Sequence, residues 1–142
     1  MIILAVDLGK ARTGLAVCDS GEILASPAGV IEQYDRAKLC ARICEVAAER
    51  RAERIVVGLP RNMDGSEGES ALSAREFADM LRSESGLPVV MSDERGTTIT
   101  AHQYLNATDT RGKKRKAVVD SVAATIILED YLQYRRNHPE VE

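Results

Sequence analysis

Residues Ile2-Ile3-Leu4-Ala5-Val6 form an unbroken apolar run that stops on Asp7. A half-exposed strand alternates apolar with polar side chains, whereas a run with no polar position is a strand buried on both faces. The sheet that holds it must therefore be covered by helices. An acid at the end of such a strand is costly unless it is paired, hydrogen-bonded or bound to a metal. The ends of strands in α/β sheets are also where sites collect, so Asp7 is a candidate functional residue as well as a candidate turn cap.

The rest of the chain is read outward from this strand. Residues 15–18 (Leu-Ala-Val-Cys) are a second strand, with a hairpin turn at Asp19-Ser20-Gly21. Residues 23–31 are a third, interrupted by Pro27 and Gly29, which suits an edge position. The period then changes: Leu39, Ile43, Val46 and Ala47 recur at helical spacing between residues 35 and 51. Residues 55–58 are a β-branched strand, followed by a polar loop over 61–68. Ser66 and Glu69 have capping-box spacing, which predicts a helix with Ala74, Phe77, Ala78 and Leu81 on its apolar face. Residues 89–91 are a fifth strand, 97–106 a short helix, 107–115 a basic loop, and 116–136 a long helix. The order β-β-β-α-β-α-β-α-α predicts a mixed five-stranded α/β sheet covered by helices. Its first three strands are antiparallel and β-α-β crossovers add the later ones in parallel. With 142 residues and no repeat or linker, residues 1–142 are expected to form a single domain.

Nineteen Lys and Arg against 22 Asp and Glu give a net charge of −3, which argues against a uniformly basic nucleic-acid binder. One Phe, four Tyr and no Trp leave too few aromatics for a base-stacking surface. Three cysteines cannot form a disulfide framework. Cys40 and Cys44 stand one helical turn apart, and their plain reading is a buried helix face in a reducing compartment. No signal-peptide pattern and no membrane-length apolar run is present, so a cytoplasmic protein with no membrane partner is expected.

Three further features carry chemistry. Ser92-Asp93-Glu94-Arg95 follows a strand directly, where one acid can face Asp7, or the group can cap the next helix. Asp120 sits in Val118-Val119-Asp120-Ser121-Val122-Ala123-Ala124, an apolar helix whose small residues allow close approach to the sheet. Its plainer role is a first-turn acid complementing the helix dipole. Arg111-Gly112-Lys113-Lys114-Arg115-Lys116 places five cations in six positions, either a solvated run or a grip on a polyanion. Two carboxylates about 4 Å apart repel by roughly 4 kcal/mol at an effective dielectric near 20. Converging Asp7, Glu94 and Asp120 therefore calls for a cation, and all-oxygen ligands select Mg²⁺ or Mn²⁺, as one or two ions. Two ions would clamp the attacking and leaving oxygens of a phosphoryl transfer.

In order and spacing these motifs resemble the YqgF (RuvX) family of RuvC-like proteins. The resemblance rests on Asp7-Leu8-Gly9 with Arg12-Thr13-Gly14, Val57-Gly58-Leu59-Pro60 with Asp64-Gly65-Ser66-Glu67-Gly68, Asp93-Glu94-Arg95 with Thr97-Thr98, and Lys116 with Val119-Asp120 and Ala123-Ala124. It implies an RNase H-like fold, with Asp7, Glu94 and Asp120 as metal-binding catalytic carboxylates. It further implies that Gly9, Arg12, Gly65, Ser66, Arg95, Lys113, Lys114, Arg115 and Lys116 line a nucleic-acid groove. Ser92 stands where the family often has an aromatic residue, and Gly96 where it often has a larger apolar one. Asp93 and Glu67 are the candidates for a fourth carboxylate.

The function implied is a metal-dependent nuclease acting on structured precursor rRNA at the 5′ end of pre-16S rRNA. Ribosomal particles are a further expected partner, and the expected state is a monomer or weak homodimer. The alternatives are cleavage of branched DNA at Holliday junctions by the same chemistry, and a non-catalytic nucleic-acid-binding factor.

Overall fold

The computed structural model describes residues 1–9, 11–59, 68–93 and 112–138, with residue 93 and residues 112–121 described by their backbone. In chain order the elements are β1 (Ile3–Asp7), β2 (Arg12–Cys18), β3 (Ala25–Glu32), α1 (Arg36–Glu49), β4 (Arg54–Leu59), α2 (Glu69–Ser85), β5 (Val89–Asp93) and α3 (Gly112–Asn137). The five strands form one sheet in the order β3-β2-β1-β4-β5. β1 is antiparallel to β2, and β2 to β3, while β4 runs parallel to β1 and β5 parallel to β4. This is the mixed sheet expected from the sequence. The helix expected over 97–106 lies outside the described residues.

The apolar run becomes the central strand because it can bury both faces. Leu4 and Val6 join Leu15, Leu39, Ile43, Ile55, Val57, Phe77 and Leu81 in a core beneath α1 and α2. Ile3 and Ala5 point the other way and join Ala16, Val56, Ala124, Ile127 and Leu128 beneath α3. Alanines from both sides of that second core meet, which seats α3 close against the sheet. Among the described residues, no helix is long and apolar enough to cross a membrane.

Several boundaries differ from the sequence expectation for identifiable reasons. β1 runs on through Asp7, and β2 starts at Arg12 rather than residue 15, because Arg12, Thr13 and Gly14 pair with Glu32, Ile31 and Val30. β3 is the predicted edge strand, and the register shifts between Leu15 and Ala16, leaving Ala28 as the extra residue of a bulge between Pro27 and Gly29. Gly29 has φ +106°, which a side chain would resist. The predicted hairpin turn is longer than three residues. Asp19 Oδ1 accepts from the amides of Ile23 (2.7 Å) and Leu24 (3.2 Å), and these bonds hold its carboxyl below the usual carboxylate range.

The predicted capping box does not form. α2 has Gly68 as its N-cap with no side-chain cap, and Glu69 is its first helical residue rather than its third. The basic run is likewise not the loop expected over 107–115. α3 begins at Gly112, so Lys113, Lys114, Arg115 and Lys116 occupy its first turns, consistent with the high helix propensity of Lys and Arg.

Candidate active site

Asp7 is the last residue of β1, one position beyond the Val6–Val57 pair and directly opposite Gly14 of β2. Successive side chains along a strand alternate in face, so Asp7 shares the side of Ile3 and Ala5, which is the side covered by α3. The neighbours at its level are glycines: Gly14 on β2, and Gly58 on β4, which follows Val57. Gly58 in turn pairs with Ser92 of β5, which falls on the face of Val90, packed beneath α3. The carboxylate thus stands half-buried above a floor bare of large side chains, at the carboxyl ends of three parallel strands. Val or Leu at either glycine would add a side chain at the level of Asp7 on this face.

After β1 the chain turns sharply at Leu8-Gly9. A Cβ at Gly9 would overlap the backbone carbonyl oxygen of Arg12, so the turn itself requires glycine. Sequence reasoning assigned Gly9 to a nucleic-acid groove, and the structure adds this steric role.

On the opposite face of the same strand end is a cleft of about 260 Å³, lined by Leu8, Gly9, Arg36, Glu69, Ser70, Ser73 and Ala74. Arg36 reaches it from the first turn of α1. Its Nη1 lies 3.5 Å from the Gly9 carbonyl, and its guanidinium stands 5.6 Å from the centre of the Phe77 ring. Sequence reasoning missed Arg36. The signal was present: Asp35 caps α1 through the amides of Ala37 (2.9 Å) and Lys38 (3.1 Å), and a cation immediately after an N-cap opposes the helix dipole.

Of the other sequence-predicted site residues, Arg12 is the first residue of β2 and half-buried. Asp120, Lys113, Lys114, Arg115 and Lys116 lie on the N-terminal part of α3, with Asp120 one helical turn before the buried Ala124. Glu94, Arg95, Gly65 and Ser66 lie outside the described residues, Glu94 and Arg95 immediately after β5. Of the two candidates for a fourth carboxylate, Asp93 ends β5, paired with Leu59, and Glu67 lies outside the described residues. His138 is exposed and stacks on Tyr134, with 4.3 Å between ring centres.

A sheet of order β3-β2-β1-β4-β5, with an acid ending its central strand and a long C-terminal helix across one face, is a RuvC-like, RNase H-like architecture. Thermus thermophilus RuvC, solved in complex with a Holliday junction substrate, has this fold: 96% of each chain superposes with a TM-score of 0.61 at 16% sequence identity. The chain belongs to the RuvX family, described as Holliday junction resolvase, whose family model matches residues 1–134. A relative in Chloroflexus aurantiacus, named "Putative pre-16S rRNA nuclease", is 42% identical over 138 residues, covering 97% of this chain and 90% of its own. A relative of the same name in Agathobacter rectalis is 41% identical over 140 residues, covering 96% and 98%.

Proposed function

We propose that this chain, as a single domain over residues 1–142, is a divalent-metal-dependent nuclease. It hydrolyses phosphodiester bonds in structured RNA, processing the 5′ end of precursor 16S rRNA in the cytoplasm. The observation that carries this reading is the placement of Asp7 at a strand end, on a glycine floor, facing the helix that bears Asp120. The names of the two relatives favour the RNA substrate.

In this reading Asp7, Glu94 and Asp120 hold one or two Mg²⁺ or Mn²⁺ ions. The fit is supported by the donor set, which is all carboxylate oxygen and suits hard cations, and by Gly14 and Gly58, which put no side chain beside Asp7 from the adjoining strands. Bound there, such ions supply charge neutralisation for the converging carboxylates and for the phosphate as negative charge builds on its oxygens. The remaining work belongs to the chain itself. Asp7 is held rigid by its pairing with Gly14. Gly14 and Gly58 admit the phosphodiester to the strand end. Arg12, Arg95 and the run from Lys113 to Lys116 bring positive charge to the flanking phosphates. Gly9, Gly65 and Ser66 let the backbone approach the strand closely.

The test is competition between a precursor RNA carrying a 5′ leader and a four-way DNA junction in one reaction with Mg²⁺ or Mn²⁺. The RNA is expected to be cut, and Asp7→Asn to lose about a hundredfold or more in rate. Full activity in Asp7→Asn would refute the three-carboxylate reading. A second reading, resolution of branched DNA, is favoured by the family description and the fold. It predicts preferential junction cleavage by paired cuts from a stable dimer, whereas the RNA reading needs a monomer or weak homodimer only. Calorimetry that detects no divalent-cation binding to the wild type would point instead to a non-catalytic binding factor.

A further inference from the structure

On the face of the sheet away from α3, α1 and α2 bring together two thiols and a carboxylate that the nuclease chemistry does not use. Cys40 and Cys44 lie one turn apart on α1, and Glu84 lies near the end of α2. One ligand atom from each falls within 4.8 Å of the other two. Cys40 is fully buried, Cys44 half-buried and Glu84 exposed, so the group opens to solvent on one side only. Burial, then the charges of Cys44 and Glu84, push the Cys40 thiol up to about 12. Burial also raises Cys44. Burial and the nearby carboxylate thus disfavour the thiolate form of both cysteines, and a cation held between the two sulfurs and the carboxylate would offset that.

We propose that Cys40, Cys44 and Glu84 form a second metal site, which takes a borderline-soft divalent cation of the Zn²⁺ class and ties α1 to α2. Thiolates select such a cation over Mg²⁺ and Mn²⁺, so the site is chemically distinct from the all-oxygen set at the strand ends. The geometry suits it. Zn–S bonds of about 2.3 Å in a tetrahedron put two thiolate sulfurs about 3.8 Å apart, inside the 4.8 Å span here. Three protein ligands leave the fourth position to solvent, on the side where Glu84 is exposed. Binding displaces the two thiol protons to the buffer, leaving two thiolates, one carboxylate and one dication.

The experiment titrates the full-length, reduced protein with Co²⁺ as a spectroscopic probe and then with Zn²⁺. The expected result is a thiolate-to-cobalt charge-transfer band in the near ultraviolet with intensified visible bands of a tetrahedral ion, both bleached by Zn²⁺ and neither produced by Mg²⁺. Zn²⁺ raises the melting temperature by several degrees. Cys44→Ser abolishes most of the band, and Glu84→Gln weakens Zn²⁺ binding by at least an order of magnitude. Cys18→Ala and Asp7→Asn leave the band intact, which separates this site from the third thiol and from the strand-end carboxylates. Circular dichroism confirms that each variant is folded. Absence of the band while the thiols titrate as reduced overturns the proposal. So does a band that survives Cys44→Ser, or Zn²⁺ affinity unchanged in Glu84→Gln.

Discussion

Tyr131→Phe removes one oxygen atom from the interface between α3 and the sheet, and its cost follows from what that oxygen serves. Arg54, the first residue of β4, is buried to 6% exposure and donates from Nη1 to the Tyr131 hydroxyl at 2.9 Å. Its Nε has no partner among the described residues, so the tyrosine is a large share of what compensates this buried cation. Arg135, whose Nη1 is likewise without a partner among the described residues, lies near enough for Tyr131 to strengthen its hold on its proton. A hydrogen bond to a charged group contributes about 1.5–3 kcal/mol, and stranding a buried donor loses that in full. We expect Tyr131→Phe to destabilise the fold by about 2 kcal/mol. For 142 residues the unfolding entropy is about 0.3 kcal/mol/K, so the melting temperature falls by about 7 °C. The decisive assay is a double-mutant cycle by urea unfolding. Arg54→Met removes the charge and keeps an apolar stem of similar length, so in that background Tyr131→Phe should cost about 1 kcal/mol less. Additivity of the two within about 0.5 kcal/mol, or a Tyr131→Phe cost below that, would refute the reasoning.

Three further outcomes follow. Glu22 bonds Arg135 through Nε (2.6 Å) and Nη2 (3.3 Å) and also the amino terminus (3.2 Å), and the Arg135 bonds hold its carboxyl below its usual value. A carboxyl depressed on folding contributes stability above its unfolded value near 4.5, lost as pH falls through the folded value. Glu22→Gln should therefore cost about 1 kcal/mol at pH 7, with the difference from wild type vanishing under strong acid in melts across pH. Gly9→Ala should destabilise by about 1–3 kcal/mol, measured by denaturant unfolding, because a Cβ meets backbone rather than a yielding side chain. Replacing Lys113, Lys114, Arg115 and Lys116 by Ala should weaken RNA binding and flatten its dependence on salt. The slope should fall by about 0.7–0.9 for each phosphate these cations neutralise, read from filter binding at several salt concentrations.

The legible part of this molecule is the part written in local periodicity. An apolar run without alternation announced a doubly buried strand, and the order of elements then allowed essentially one mixed sheet. Pro27 marked the edge strand because a ladder cannot use a residue without an N–H. Asp7 stood out because an acid at the end of a buried strand demands a reason. The boundaries that shifted did so where distant partners intervened. Arg12 and Thr13 are strand because Glu32 and Ile31 lie across from them, and nothing within residues 12–14 says so.

What the sequence determined by itself is thus the class of fold, the family motifs and the acid at the end of the central strand, all properties of residues a few positions apart. Only the tertiary structure decided that Gly14 and Gly58 flank Asp7, and that Arg36 reaches the Gly9 turn. It alone brings Glu84 of α2 to the thiol pair of α1. Each of these is a juxtaposition across a sheet register or a helix–helix interface. Register and packing are set by the simultaneous fit of both core faces, Leu4 and Val6 on one side and Ile3 and Ala5 on the other. That fit is a property of the whole chain, which is why no local window of the sequence contains it.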